Sequence, residues 1–386
     1  MSRNSHMNTR SLAVSLVLLA ASLTASLTAT LAAQSPRSAP LRPPNATHPE
    51  EFTSILSARE LRDGRVLITD PGEKGLVVAD FRTGKVETIG RKGSGPGEYA
   101  GVAPLYALGG DSTLMAVSFS RRWLVLDGAK IVASLGADSP ALAAAGSAGV
   151  LGADAKSAVV ILRTAQARPG LALPDSVYAM RMELATGVIG EATALRAIVA
   201  TAMSARSTTS RPGAPPPGTV EVATRAYYTR EVAAVSRDGW MAIARLDPYR
   251  VDWLAPSGTL TRGAPLPVAP ERITDREKFA RMKYTARTDT PKEPETAGEW
   301  PASIPPFELR LNPIILASPD GRVLILRVQS ADHPEMRYDV VNRRGELERQ
   351  LTLPDGHRIV AFSAKAVYVA AVDADGVQRL ERHPWP

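Results

Sequence analysis

The sequence predicts an all-β protein: a six-bladed β-propeller with an N-terminal signal segment and a short helical insertion between blades 4 and 5. Two observations carry this prediction: a repeated unit of short apolar runs joined by turns, and a spacing of 43–48 residues between several consecutive units. The composition agrees, since 44% of the 386 residues are hydrophobic, which is too large a share for a disordered chain.

The clearest copy of the unit spans residues 61–84. Two apolar runs flank Asp63-Gly64, and a third run leads to a turn that ends at Gly84. An Asp-Gly pair between apolar runs is a strong hairpin signal, because both turn residues must tolerate positive φ. The unit recurs at residues 234–258 and 316–345, and weaker copies lie near residues 110–128, 149–187 and 359–380.

The spacing of the copies predicts how many blades the ring has. One position marks each copy: Asp63, Asp111, Asp154, Asp238, Asp320 and Ala364. The steps are 48, 43, 84, 82 and 44 residues, and the short ones match the period of a propeller blade, about 40–50 residues. The long steps contain non-strand insertions at about residues 195–228 and 266–310. Two tandem β-sandwiches are the alternative fold, but they do not predict this spacing.

The last copy shows about three strands before the chain reaches Pro386. A fourth strand is needed to complete that blade, and we expect residues 52–56, near the other end of the propeller, to supply it. Closure of this kind limits free sheet edges.

The N-terminus has the parts of a secretory signal. Arg3 and Arg10 are the only charges before Arg37, and residues 11–34 are apolar or small. We therefore predict a signal peptide at residues 1–35, a Pro-rich lead-in at 36–51 and the propeller at 52–386. The protein is then secreted or periplasmic and, we expect, monomeric, with no membrane span once the signal is cleaved. An uncleaved anchor in the inner membrane is the alternative.

Cysteine and charge exclude further classes. The chain has no Cys, so disulfide scaffolds, Cys-ligated zinc and Cys nucleophiles are ruled out. The net charge of +7 comes from an Arg-rich composition with only nine Lys, and it falls to +5 if residues 1–35 are removed. No basic face interleaved with aromatic residues is visible, so we expect no nucleic-acid partner.

One group of known proteins shares this pattern. The block Asp63–Leu67, the Gly-rich segment Ile89–Tyr99 and the C-terminal Leu380–Pro386 resemble bacterial exported six-bladed β-propellers, a loosely defined group near the NHL-repeat propellers. The resemblance covers roughly residues 52–386 and implies the fold and an exported location. The group has no common activity, so the resemblance carries no catalytic residue onto this chain.

Blade topology predicts which features share a face. The ends of the second strands and the links between blades lie on the face opposite the Asp-Gly turns. That face carries both long insertions, and we call it the insertion face. Loops on a rigid scaffold are common binding sites, so we expect the function there.

The link between blades 1 and 2 offers one candidate site. Arg91 and Lys92, with the backbone N–H groups of the Gly-rich segment, are suited to hold an anion. The alternative is a tight structural link in which Glu98 pairs locally. The segment is not a phosphate-binding P-loop, since Pro96-Gly97 follows Gly95.

A second candidate site comes from equivalent positions in two adjacent blades. Arg245 and Arg327 each end a second strand, so two guanidiniums are expected at one rim, where they would bind a carboxylate or phosphate. Asp70 holds the matching position in blade 1 and is expected across the channel. The alternative is that each Arg forms an internal ion pair, with Asp252 and Asp339 respectively.

The second insertion contains a helix signal. Thr274 and Glu277 have the spacing of a capping box, and Phe279 and Met282 lie one turn apart. This predicts a short helix, which acts as a lid or simply packs on the rim. Residues 205–219 and much of 291–306 are predicted to be irregular.

Catalytic motifs are sparse. The five His include no pair at metal-ligand spacing, and no Gly-x-Ser-x-Gly elbow occurs. Asp373-Ala374-Asp375-Gly376 starts like a calcium loop but lacks the later ligands, which favours a hairpin turn. We predict no cofactor, with calcium as the one candidate.

The function predicted from the sequence is binding. We favour an exported module that holds a protein, peptide or glycan ligand at the insertion face. The alternative is a propeller hydrolase, lactonase-like or glycan-processing, with a metal bound in the channel. The sequence does not decide whether the protein is an enzyme, although we favour a non-enzymatic role.

Overall fold

A computed structural model describes residues 38–95, 97–117, 121–146, 148–156, 158–163, 176–196, 226–227, 229–285, 300–309 and 313–385. These residues form six sheets of four or five strands and one two-stranded pair. The predicted six-bladed β-propeller is confirmed. The predicted signal segment and residues 205–219 lie outside the described residues. Within the described part of the chain, no helix is long and apolar enough to cross a membrane.

The described strands are numbered in chain order. They are β1 (Ser38–Pro40), β2 (Ala46–Thr47), β3 (Ser57–Glu60), β4 (Val66–Asp70), β5 (Gly75–Asp80), β6 (Lys85–Thr88), β7 (Arg91–Lys92), β8 (Glu98–Tyr99), β9 (Leu105–Ala107), β10 (Ser112–Val117), β11 (Arg122–Asp127), β12 (Lys130–Leu135), β13 (Gly149–Ala153), β14 (Ala158–Arg163), β15 (Ser176–Glu183), β16 (Ile189–Arg196), β17 (Val232–Val235), β18 (Met241–Leu246), β19 (Tyr249–Leu254), β20 (Leu260–Thr261), β21 (Ile315–Ala317), β22 (Val323–Leu326), β23 (Met336–Val341), β24 (Leu347–Leu353), β25 (Arg358–Phe362), β26 (Ala366–Val372) and β27 (Gln378–Pro384). The described helices are α1 (Pro140–Ala145) and α2 (Asp275–Thr285).

Blades 1 to 5 each contain four consecutive strands in antiparallel order: β3–β6, β9–β12, β13–β16, β17–β20 and β21–β24. Blade 6 contains β25–β27 and one strand from the N-terminal segment. Because neighbouring strands are antiparallel, the turns between first and second strands lie on one face of the ring, which we call the turn face. The connections between second and third strands lie with the interblade links on the insertion face.

The hydrophobic pattern follows from how the blades stack. Middle strands such as β4 and β23 are buried along their whole length, because both faces of each blade are covered by its neighbours. Strand β4 is therefore mostly apolar, whereas β23 also buries Arg337 and Asp339. The outer strand β12 instead alternates between exposed and half-buried residues, as expected for a strand with one face in water.

The Asp-Gly turns adopt the backbone that their sequence predicts. Gly64, Gly239 and Gly321 have φ of 85°, 84° and 83°, a region that residues with a Cβ rarely enter. Each turn joins the first strand of a blade to its second. The repeat read from the sequence therefore corresponds to the hairpin that begins each of blades 1, 4 and 5.

The ring is closed by the N-terminal segment, but by an earlier part of it than the sequence indicates. The outer strand of blade 6 is β2, which pairs antiparallel with β27. Phe52, where the closing strand is expected, adds an isolated bridge to Gln378. The segment turns at this point because Asp70 accepts hydrogen bonds from the backbone N–H groups of Thr53 and Ser54, which ties it to blade 1.

A further strand of the N-terminal segment extends blade 5. Strand β1 pairs in parallel with the outer strand β24. A short segment near the beginning of the chain therefore lies along two consecutive blades, first blade 5 and then blade 6.

The predicted helical insertion between blades 4 and 5 is present as α2. The hydroxyl of Thr274 accepts a hydrogen bond from the Glu277 backbone N–H (3.3 Å), as in a capping box. The Glu277 carboxylate, however, accepts from the Ala331 N–H of blade 5, so it docks the helix. Met282 is buried, whereas Phe279 is 56% exposed.

One helix was not anticipated from the sequence. Helix α1 lies between blades 2 and 3, with Pro140 at its start and the Ser139 hydroxyl accepting a hydrogen bond from the Leu142 N–H. Its six residues are mostly Ala, so they lack the apolar periodicity by which a helix is recognised in a sequence.

The turn of blade 4 provides a test of the hairpin assignment. A Cβ at Gly239 would lie 3.0 Å from Oδ2 of Asp154 and 3.2 Å from Cγ of Pro256, at a φ of +84°. We expect Gly239→Val to lower the free energy of unfolding by about 2–3 kcal/mol, through backbone strain and crowding together. Chemical denaturation measures this change.

Gly258 is the matched control, since its φ is +89° but nothing lies within 4 Å of its Cβ position. Gly258→Val should therefore show only the backbone cost, about 1–2 kcal/mol. Stability like that of the wild type in Gly239→Val would contradict the assignment of this turn.

Candidate functional site

The sequence singled out six residues, and each has a defined environment. Asp70, at the end of β4, is 1% exposed. Its carboxylate accepts hydrogen bonds from the backbone N–H groups of Thr53, Ser54, Gly72 and Glu73, at 2.8–3.4 Å. The side chain therefore anchors the closing segment to blade 1.

The Gly-rich link forms a small closed structure. Arg91 and Lys92 make up β7, which pairs in parallel with β8. Glu98 accepts hydrogen bonds from the Gly95 N–H (2.7 Å) and from Arg91 Nε (2.6 Å), and these two donors lower the pKa of Glu98. Arg91 and Lys92 themselves are exposed. The Glu98 carboxylate therefore accepts the hydrogen bonds that an external anion was expected to accept.

Arg245 belongs to a network of ion pairs between blades 3 and 4. Its guanidinium contacts Oδ2 of Asp252 (2.9 Å) and Oε2 of Glu231 (2.5 Å). Burial alone would raise the pKa of Asp252, but hydrogen bonds from Arg250 and Arg245 outweigh it and leave the pKa below its ordinary value.

Arg327 is buried beside blade 4. Its Nη1 donates to Oδ2 of Asp339 (3.1 Å), and its guanidinium lies over the ring of Tyr249 (5.4 Å). Tyr249 donates its hydroxyl to the same carboxylate oxygen (2.8 Å), and burial together with the charge of Asp339 raises the pKa of this phenol well above its ordinary value. Both arginines thus form the internal ion pairs that the sequence offered as the alternative.

A well-defined cavity lies elsewhere, on the axis of the ring. A cavity of about 700 Å³ is lined by the first strands of all six blades and by the residues that flank them. None of the six singled-out residues is among its lining residues. Whether they bind a ligand remains a prediction, but the structure does not bring them together around this cavity.

The cavity has its own set of charged side chains. These are Arg59, Glu60, Arg62, Asp111, Arg230 and Arg237. Arg59 is 7% exposed, whereas Arg62 and Arg237 are exposed and lie in turns of the turn face. Burial lowers the pKa of Arg59 and the positive charge of Arg237 lowers it further, whereas the negative charge of Asp111 raises it; together they bring the pKa to about 10. Arg59 therefore remains protonated at neutral pH.

A signal for two of these residues was present in the sequence. Arg62 and Arg237 each precede the Asp-Gly pair of their blade, whereas Pro319 holds that position in blade 5. The repeat locates the turns, and the residue before each turn differs between blades, so it is not part of the repeated pattern. Arg59 has no such signal, because it lies within a short strand whose neighbours across the ring are distant in sequence.

The calcium-like stretch is a hairpin turn between β26 and β27. The Asp373 carboxylate accepts hydrogen bonds from the backbone N–H groups of Asp375 (3.1 Å) and Val377 (2.9 Å). Across the residues that the structure describes, no group of three or more His, Asp or Glu side chains could hold a metal ion.

Comparison with known proteins yields no family assignment. No protein-family model matches the chain, and a search of curated proteins returns no match.

Several solved structures resemble the chain at low identity. A putative exported protein from Bacteroides fragilis is 8% identical over 91% of this chain and 98% of its own, with a TM-score of 0.46. A member of the duf4221 family from Bacteroides vulgatus is 9% identical over 89% and 94%, with a TM-score of 0.42. Virginiamycin B lyase from Staphylococcus aureus is 10% identical over 87% and 97%, with a TM-score of 0.39. These similarities assign no activity to this chain.

Proposed function

We propose that this chain is an exported ligand-binding β-propeller whose central cavity receives a segment of a peptide or glycan. The observation that carries the proposal is the cavity of about 700 Å³, to which all six blades contribute. Its volume lies within the range of about 300–1,000 Å³ that is typical of ligand sites. Its lining combines apolar strand residues with a few charged side chains, as ligand sites commonly do.

The strand order supports a peptide or glycan as the ligand. The first strand of each blade is the end strand of its sheet, so one edge of its backbone is turned away from its own blade. Such an edge is a row of N–H and C=O groups. Peptide amides and sugar hydroxyls have the donors and acceptors to match it.

Two further features support the exported role and the route of entry. Residues 1–35 have the composition of a secretory signal. Leu309 and Ile314, which lie at the end of the second insertion, are among the residues that line the cavity. The insertion face thus borders one end of the proposed site, in keeping with binding through that face.

A blocked cavity tests the proposal. Ala364 is exposed and lines the cavity beside the turn face, so Ala364→Trp adds an indole there at little cost to the fold. A panel of short peptides and oligosaccharides is screened by thermal shift and titration calorimetry. We expect at least one to bind the wild-type protein and to lose at least about tenfold in affinity in Ala364→Trp, since a blocked site forfeits more than about 1.4 kcal/mol.

The matched control is Ala143→Trp, an exposed position on α1 outside the cavity lining, which should leave affinity unchanged. Ligands that bind both Trp variants equally well would contradict a site in the cavity. Metal analysis with a melting shift in calcium and EDTA tests the hydrolase alternative. A bound metal, with stability lost in EDTA, would favour that alternative over the binding module.

A further inference from the structure

We propose that the end of the cavity at the turn face binds the carboxylate or phosphate group of an anionic ligand through Arg59, Arg62 and Arg237. This inference rests on the proposed function, since it assumes that the ligand enters the cavity, and it specifies the chemical class of that ligand.

The three arginines belong to blades on opposite sides of the ring. Arg59 lies in β3 and Arg62 in the turn that follows it, so both belong to blade 1. Arg237 lies in the turn between β17 and β18 of blade 4, which is opposite blade 1 in a ring of six. All three line the same cavity. The positive charge of Arg237 lowers the pKa of Arg59.

Arg59 is held in place by neutral groups. Its Nη1 donates to the carbonyl oxygen of Ser112 and to Oγ1 of Thr113, and its Nη2 donates to the carbonyl oxygen of Gly110 (2.9 Å). All three acceptors belong to blade 2 or to its first turn. These contacts orient a guanidinium that is only 7% exposed. The charge of Asp111 stabilises the protonated form of Arg59, whereas the charge of Arg237 opposes it.

The charge balance of the lining favours an anion. Among the described residues that line the turn-face end, three arginines, Arg59, Arg62 and Arg237, face two carboxylates, Glu60 and Asp111. Both carboxylates already accept hydrogen bonds, Glu60 from the hydroxyl of Tyr368 (2.8 Å) and Asp111 from the backbone N–H of Arg62 (3.0 Å). A concave site lined by an excess of one charge raises the local concentration of the opposite ion.

Guanidinium groups match the geometry of oxyanions. Their planar fork donates two parallel hydrogen bonds to a carboxylate or phosphate, and these charge-assisted bonds are about twice as strong as neutral ones. A neutral sugar or peptide would leave the repulsion between Arg59 and Arg237 in place. An anion seated between the two removes it.

The first test needs no ligand. If Arg59 and Arg237 repel each other in the free protein, Arg237→Gln removes that repulsion and should raise the melting temperature by about 1 °C at low salt. The rise should vanish in 0.5 M NaCl, where screening acts within a few ångströms. The control is Arg344→Gln, on an exposed turn of blade 5 where Arg344 pairs with Glu346, and it should not raise the melting temperature. A fall in the melting temperature of Arg237→Gln would overturn the inference.

The second test uses defined probes. Titration calorimetry compares inorganic phosphate, galacturonic acid and the neutral sugar galactose on the wild-type protein, Arg237→Gln, Arg62→Gln and Arg344→Gln. We expect phosphate or galacturonic acid to bind the wild type more tightly than galactose does. Affinity should fall about tenfold in the first two variants and stay unchanged in Arg344→Gln. The two anions distinguish phosphate from carboxylate as the recognised group.

The outcomes separate the two proposals. Equal affinity of the anions for the wild type and Arg237→Gln would overturn the anion site. If neutral ligands no longer bind Ala364→Trp but bind Arg237→Gln as tightly as the wild type, the cavity remains the binding site. Its preference for anions is then overturned. Both proposals fail if Ala364→Trp weakens the binding of no compound in either panel.

Discussion

Phe52→Ala is expected to lower the free energy of unfolding by about 3–5 kcal/mol, the usual cost of truncating a buried aromatic residue. Phe52 is 1% exposed and packs at the joint where the ring closes. The core cluster around it contains Ile68 and Val77 of blade 1 and Tyr368 and Leu380 of blade 6. Its removal therefore leaves a cavity between the first blade and the last.

The effect should extend beyond the local cavity, because Phe52 also exchanges two backbone hydrogen bonds with Gln378, of 2.8 and 2.9 Å. Guanidinium denaturation followed by tryptophan fluorescence measures the loss. Phe279→Ala is the matched control, since that ring is 56% exposed on α2, and it should change stability by less than about 0.5 kcal/mol. A change of less than 1 kcal/mol in Phe52→Ala would show that closure does not depend on this joint.

Arg281→Met should release the second insertion from the rim. Arg281 and Glu308 are buried partners, with side chains 6% and 3% exposed and Nη1 lying 2.6 Å from Oε1. Arg281 also donates to the carbonyl oxygen of Ala226 and stacks on Tyr227. Removing the guanidinium leaves the Glu308 carboxylate buried without the charge of Arg281. In comparable sites such a change lowers stability by about 3–5 kcal/mol.

Because α2 is peripheral to the blades, we expect this cost to appear as local undocking. Hydrogen exchange of the α2 amides and proteolysis within residues 266–309 measure it. The double variant Arg281→Met/Glu308→Leu should recover most of the protection, since an apolar pair often replaces a buried ion pair without loss. Arg276→Met is the control, because Arg276 and Asp332 are 70% and 68% exposed and such pairs contribute at most about 1 kcal/mol. Exchange like that of the wild type in Arg281→Met would contradict the docking role of this pair.

The architecture was predictable because two local signals recur along the chain, three of their steps being 43–48 residues. Asp63-Gly64 and its counterparts specify a hairpin through their own backbone preferences, and runs such as Val323–Leu326 are apolar throughout because both of their faces are covered. Neither signal depends on residues distant in the sequence. Helix α1 illustrates the limit, since six residues rich in Ala offer no periodicity to read.

The candidate site was harder to predict because it is assembled from blades that are far apart in the sequence. Arg245 and Arg327 occupy equivalent positions, and the sequence left two partners open for them: an external anion, or Asp252 and Asp339 on the next strand. The strand pairing brings each carboxylate to its arginine. Conversely, Arg59 and Arg237 line one cavity although they are far apart in the sequence, because the ring places blades 1 and 4 around the same axis. The repeat indicates which polar residues lie near the ends of second strands, but it does not indicate which residues face the axis.

The placement of β1 and β2 has a consequence for the order of folding. Blade 6 consists of residues from both ends of the propeller, and Ala46 pairs with Arg382, so this blade cannot be completed until nearly the whole chain has been synthesised. Contacts so distant in sequence carry a high cost in loop-closure entropy and slow folding. Until β1 and β2 dock, the outer edges of β24 and β27 lack the strands that cover them, and open strand edges can pair with other chains. Docking of the N-terminal segment therefore ends this exposure.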